Sequence, residues 1–214
     1  MLANGKANPS IGPHLAADNR QSLGLTIKTF SENPKMVGSA FPASRWLVQH
    51  MLAPLDWQQT RFLIEFGPGT GAFTRAALAR LPADATLLAL DTSPAFVDHL
   101  RKSIDDPRLQ PVCAPAADVA ALVRGRALPP ADCIVSGLPF STLAPEESER
   151  TMRASRAVLA AHGIFCAYQM RRTIEPLLQT HIGVIRSAYE WRNMPPCHLY
   201  WAQAGDAAAQ NLGD

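Results

Sequence analysis

The apolar run Phe62-Leu63-Ile64, followed at once by Glu65-Phe66-Gly67-Pro68-Gly69-Thr70-Gly71, constrains this chain more than any other segment. A short apolar run ending in an acid, then glycine at every second position, then a helical pattern from Ala72 to Leu81, reads as strand, tight turn and helix start. Gly67, Gly69 and Gly71 let the backbone come close to a ligand, and the helix behind them opens with free N–H groups. That is a cradle for a nucleotide-type cofactor, in an α/β fold.

The acid selects among such cofactors. Gly67, Gly69 and Ala72 also satisfy the dinucleotide fingerprint, but there the glycines serve a pyrophosphate, and a carboxylate two residues earlier has no use for an anion. A cationic ligand would use it. S-adenosylmethionine carries an ammonium and a sulfonium, and E-x-G-x-G-x-G from Glu65 to Gly71 resembles motif I of class I methyltransferases. Asp91, which ends the apolar run Leu87 to Leu90 about 20 residues past the glycines, is placed to take ribose hydroxyls. The alternative is an unrelated glycine turn, with Asp91 capping the next helix.

Composition sets bounds. At 214 residues, 47% hydrophobic and 18% charged, the chain suits one globular domain with a sizeable core. A net charge of +2 is too mild to call for a nucleic-acid partner, although Arg171-Arg172 is a local basic pair. Cys113, Cys133, Cys166 and Cys197 lack C-x-x-C spacing and read as reduced core residues of a cytosolic protein. The six histidines lie far apart, so no metal is expected. No stretch approaches the roughly 20 apolar residues of a membrane span, and no basic-then-apolar leader opens the chain.

Residues 1–29 read as a mobile arm, 30–204 as one domain, and 205–214 as a tail. Two short segments begun by Pro34 and Pro42 read as helices within 34–53. In the second, Trp46, Leu47, His50 and Met51 share a face, which suits either a lid over the cofactor or a membrane contact. From Arg61 the pattern alternates: strands 61–66, 85–91, 109–113, 132–136 and 164–169, with helices 71–81, 94–103, 117–124 and 145–161 between them. Ile182–Tyr189 and His198–Ala202 read as a closing antiparallel pair. The expectation is a doubly wound, seven-stranded, mainly parallel sheet.

The fourth strand leads from Ser136 into Gly137-Leu138-Pro139-Phe140, beside the cofactor in such a sheet. This segment resembles the N-L-P-Y motif of rRNA adenine dimethyltransferases, with glycine in place of the asparagine that helps hold the exocyclic amine. Phe140 can pack on a base or a methylammonium, or be a buried residue of a plain proline turn. Together with Asn33-Pro34, Gly38-Ser39 and Pro42-Ala43-Ser44-Arg45 at one end, and Arg192-Asn193-Met194-Pro195-Pro196 at the other, the chain resembles the bacterial phospholipid N-methyltransferases of the soluble, rRNA-dimethyltransferase-like type.

That resemblance runs from about Phe30 to Trp201. It implies methylation of phosphatidylethanolamine and its methylated derivatives at the inner face of the membrane, with peripheral attachment through an N-terminal helix. It also implies cofactor contacts from Glu65, Gly67, Pro68, Gly69, Gly71, Asp91, Thr92 and Ser136. Pro115 stands where relatives carry an acid near the adenine ring, which leaves backbone groups near Ala116 for that contact. Gly137, Leu138, Pro139 and Phe140 would line the acceptor site, with Tyr168, in the order Tyr168-Gln169-Met170, as the catalytic tyrosine. The amine must be neutral to attack, so an apolar pocket walled by Trp46, Phe140 and Tyr168 would favour it, and Tyr168 or a water would take its proton. Two other readings stay open: a methyltransferase for RNA adenine or a small amphiphilic amine, and a cofactor-binding module without activity.

Overall fold

A computed structural model describes residues 43–205 of the chain. The expected arm at 1–29, the helix begun by Pro34 and all but the first residue of the 205–214 tail lie outside the described residues. Five parallel strands, β1 (Phe62–Phe66), β2 (Thr86–Asp91), β3 (Leu109–Cys113), β4 (Ala131–Ser136) and β5 (Leu159–Gln169), are joined by β6 (Gly183–Glu190) and β7 (Cys197–Ala204). The sheet order is β3-β2-β1-β4-β5-β7-β6, with β7 antiparallel to both neighbours. The expected doubly wound, mainly parallel sheet is therefore the one found.

Both faces are covered, which is why all five residues of β1 are buried. On one side α1 (Arg45–Leu52), α2 (Ala72–Leu78) and α3 (Pro94–Ser103) pack around Leu63, Leu87 and Leu100. On the other, α4 (Val119–Gly125), α5 (Pro145–Val158) and α6 (Glu175–His181) pack around Phe66, Ile134 and Phe165. Strand order reverses at β1, between β2 and β4, so the ligand crevice opens at the carboxyl ends of these strands.

The boundaries differ from the sequence reading where tertiary contacts intervene. α2 stops at Leu78 because Arg108 donates to the carbonyl oxygens of Leu78, Leu81 and Pro82, satisfying the end of the helix from outside. α5 ends at Val158 rather than 161, since Leu159 already pairs with Ala131 in the sheet. The segment expected as helix 117–124 begins with a 3-10 turn over Ala116–Asp118. α6, with proline in its first turn and Leu178 buried, had no counterpart in the pattern reading. Cys113 is exposed at the end of the outer strand β3, unlike the buried Cys133, Cys166 and Cys197, and all four are free.

α1 begins at Arg45, with Ser44 as its N-cap: the Ser44 hydroxyl accepts from the Leu47 N–H at 3.2 Å, while Pro42 lies outside the described residues. Its buried stripe is Leu47, Val48, Met51 and Leu52, so Trp46 points away from the core at 37% exposure. The expected face of Trp46, Leu47, His50 and Met51 is thus rotated. The indole of Trp201 on β7 donates to the Met51 carbonyl at 2.9 Å and fixes this helix across the sheet edge.

Candidate active site

The three motif glycines adopt left-handed backbone, with φ of +67° at Gly67, +54° at Gly69 and +87° at Gly71. A side chain is strained at each. At Gly71 there is also no room, since a Cβ would come within 2.8 Å of Leu100 on α3. At Gly69 a Cβ would meet nothing within 4 Å, so the turn leaves open space in front of its own backbone.

Two carboxyls flank that space. Asp91, at the tip of β2, accepts from the backbone N–H of Gly69 at 3.3 Å and of Ser93 at 2.9 Å. Burial pushes its ionisation above the ordinary carboxylate value, and these backbone donors pull it back. Glu65, at 3% exposure, accepts from the Thr74 hydroxyl at 2.7 Å, and among the described residues it has no cationic partner. Burial raises Glu65 from 4.5 to about 7; Thr74 opposes the shift and the charge on Asp91 adds to it. Ionising it in these surroundings costs on the order of 3 kcal/mol. A buried acid of this kind is completed by a cation, and the ammonium of S-adenosylmethionine is one. The residues present fit that cofactor.

Ser136, buried at the end of β4, accepts from the Leu138 N–H at 3.3 Å, and Gln169 on β5 donates to the Leu138 carbonyl at 2.7 Å. These two bonds shape the Gly137-Leu138-Pro139 turn, which the Gly137 N–H ties to the Phe66 carbonyl at 2.8 Å. Ala116 is buried at the start of its 3-10 turn, and Thr92 lies exposed just past Asp91. Phe140 is buried in the core on the α4–α6 side, as in the plain-turn alternative.

Tyr168 reaches the crevice from the end of β5. A Cβ at Gly137 would stand 2.6 Å from the Tyr168 hydroxyl and 3.1 Å from the Gly67 carbonyl oxygen. The glycine in the asparagine position therefore has a physical reason: the phenol occupies the space that a side chain there would need. Phe73, in the first turn of α2, stacks on Tyr168 with ring centroids 5.1 Å apart. Phe73, Thr74 and Gln169 were missed by the sequence reading; only the first two carried a signal, as early residues of the helix that follows the glycines. Burial, with the charges of Glu65 and Cys197 next in order, pushes the Tyr168 phenol above its ordinary value. That shift favours the protonated hydroxyl, a hydrogen-bonding group.

The sheet order and this crevice define a class I S-adenosylmethionine-dependent methyltransferase domain, and the comparisons with known proteins agree. Residues 63–163, β1 into β5, match the family described as methyltransferase domain. The chain is 25% identical over 181 residues to an ornithine lipid N-methyltransferase of Singulisphaera acidiphila, covering 84% of this chain and 94% of that protein. Among solved structures, an O-methyltransferase from Bacillus cereus in complex with SAH superposes with a TM-score of 0.67 at 12% identity, covering 86% of this chain and 90% of that one. A 1,6-didemethyltoxoflavin N1-methyltransferase from Burkholderia thailandensis, bound to S-adenosylhomocysteine, gives 0.60 at 15% identity and 94% coverage of both chains. These last two show the fold alone.

Cofactor affinity should depend on pH through Glu65. In the free protein Glu65 holds its proton below about 7, and a cationic ligand needs the carboxylate. Affinity is therefore expected to rise with pH up to about 7 and then level off, with proton release on binding seen as buffer-dependent calorimetric heat. The free fold behaves oppositely, losing stability as pH climbs from 4.5 through about 7. Glu65→Gln should flatten the binding profile; an unchanged profile in that variant would assign the pH dependence elsewhere.

Proposed function

We propose that this methyltransferase acts on the headgroup amine of a membrane lipid, with phosphatidylethanolamine and its methylated derivatives as acceptors. The observation that carries this reading is the pairing of Gly137 with Tyr168: the phenol occupies the space beside Gly137 that an asparagine side chain, the group that would hold an aromatic exocyclic amine, would need. The similarity to a lipid N-methyltransferase supports it.

Bound S-adenosylmethionine supplies an electrophilic methyl group on a sulfonium. The chain's residues do the rest. Glu65 and Asp91 hold the cofactor's ammonium and ribose, Thr92, Pro68 and Ala116 border it, and the glycine turn admits it. At the acceptor side, burial favours the neutral amine, whose lone pair forms the new N–C bond as the methyl's bond to sulfur breaks and its electron pair stays on the departing thioether. For a primary or secondary amine, the protonated Tyr168 hydroxyl accepts a hydrogen bond from an N–H and aims the lone pair along the line of transfer. Gly137, Leu138 and Pro139 form the facing wall, and the proton displaced from nitrogen leaves to solvent at the open mouth.

A second reading is favoured by the same relative: an aminoacyl lipid such as ornithine lipid presents a primary amine on a similar short tether. Transfer of labelled methyl from S-adenosylmethionine, measured on phosphatidylethanolamine, on ornithine lipid and on unmodified rRNA, separates the readings. Label in mono-, di- or trimethylated phosphatidylethanolamine is expected. Label in RNA alone would overturn the lipid assignment, and no label on any acceptor despite cofactor binding would favour a non-catalytic module. The proposed setting is the inner membrane surface, reached peripherally; among the described residues no helix is long and apolar enough to cross a membrane.

A further inference from the structure

The Arg192-Asn193-Met194-Pro195-Pro196 motif takes no part in the crevice, yet it organises the same rim. β5 and β7 pair Gln169 with His198, so the β6–β7 turn sits at the carboxyl edge of the sheet, where the crevice opens. The turn is built from inside. Asn193, buried, accepts from the Ser44 N–H at 2.9 Å and donates to the Pro195 carbonyl at 2.7 Å. Glu190, buried below it, accepts two bonds from the Arg192 guanidinium at 2.8 and 2.9 Å and contacts His50 at 3.0 Å. Arg192 holds the Glu190 carboxyl down at about 2. The turn is thereby clamped to both ends of α1, through the Ser44 cap and His50.

What this scaffold presents outward is apolar. Trp191 is 72% exposed and Met194 70%, beside Trp46 of α1 and, on the same edge, Met170 just past β5. Of the six exposed large apolar residues among those described, five lie on this rim; Val184 alone lies at the opposite edge. Cations are interleaved with them. The guanidinium carbons of Arg45 and Arg192 stand 4.5 and 4.6 Å over the Trp46 ring, and Arg192 also lies 5.9 Å from Trp191. Arg45, and Arg171 beside Met170, form no ion pair among the described residues.

We propose that the β6–β7 turn is a lipid-insertion element: Trp191 and Met194 enter the headgroup–acyl boundary of an anionic bilayer, while Arg45 and Arg171 meet lipid phosphates. This rests on the lipid-amine reading above and deepens it, because a turn docked there faces the crevice to the surface that carries the acceptor. Amphipathic indole and guanidinium groups suit that boundary, and apolar insertion adds to electrostatic attraction. The bilayer is the occupant that fits both the charge and the shared rim.

The test is sedimentation of the full chain with phosphatidylcholine vesicles, with and without phosphatidylglycerol. Trp191→Ala with Met194→Ser should weaken binding about tenfold or more, the scale expected when two inserted apolar side chains are lost. Arg45→Gln with Arg171→Gln should remove the preference for phosphatidylglycerol and the salt sensitivity. Cofactor affinity, and methylation of lipid dispersed in detergent, should stay at the level of the unaltered chain in both variants. Vesicle binding unaffected by either pair, or a change in self-association in place of vesicle binding, would overturn the insertion element. The detergent assay separates the two proposals, since activity there with unaltered vesicle binding leaves the lipid reading standing and removes only the turn's role.

Discussion

Gly69→Val is expected to abolish measurable cofactor binding while leaving the fold in place. Its backbone sits at φ +54°, where a β-branched residue is strained by about 1–2 kcal/mol. Nothing of the protein lies within 4 Å of the position a Cβ would take, so the new side chain clashes with no neighbour and instead projects into the cradle. The melting midpoint should fall by about 2–8 °C, as for a 1–2 kcal/mol loss in a domain of this size. Calorimetric affinity for S-adenosylmethionine should fall at least about a hundredfold. Gly71→Val makes the contrast, because its Cβ would strike Leu100 at 2.8 Å and unsettle α3 as well. Normal affinity in a folded Gly69→Val protein would refute the cofactor assignment of this turn.

Gly137→Ala should be the second large effect, and it separates the acceptor side from the cofactor side. One added methyl meets the Tyr168 hydroxyl at 2.6 Å and the Gly67 carbonyl at 3.1 Å. Gly67 is held through its N–H to Leu90 at 2.9 Å, so the tyrosine is the partner that yields. Displacing a positioning group by about 1 Å costs on the order of a hundredfold in rate, and kcat/KM is expected to fall by that much with cofactor affinity little changed. Tyr168→Phe alone should lose about tenfold or more, and in that background Gly137→Ala should cost markedly less, since the closest contact is gone. Equal costs of Gly137→Ala in both backgrounds would show that the phenol is not what the glycine accommodates. Unchanged kcat/KM in Gly137→Ala would remove Tyr168 from the reaction centre altogether.

Much of the fold was legible because its signals are local. The strand, glycine turn and helix of residues 62–78 needed only hydrophobic period and backbone freedom, and the spacing to Asp91 follows from one turn of a βαβ unit. Boundaries were less legible where another element supplies the end, as Arg108 does for α2 and Ala131 for the start of β5. The face of α1 was misjudged for the same reason: a short helix with several apolar residues shows its buried stripe only once the surface beneath it, here Trp201 and Leu199, is known.

The candidate site divides along the same line. By itself, the sequence determined the cofactor half: a buried acid on a central strand, glycines that tolerate left-handed backbone, and a second acid at the next strand's tip, all within one contiguous stretch of about thirty residues. Tertiary structure alone decided the acceptor half. That Gly137 and Tyr168 compete for one volume, that Phe73 backs the phenol, and that the β6–β7 turn shares a rim with the crevice all depend on contacts between distant residues. Backbone conformation is written in neighbouring residues; the filling of a shared space is fixed only when β4, β5 and β7 lie side by side.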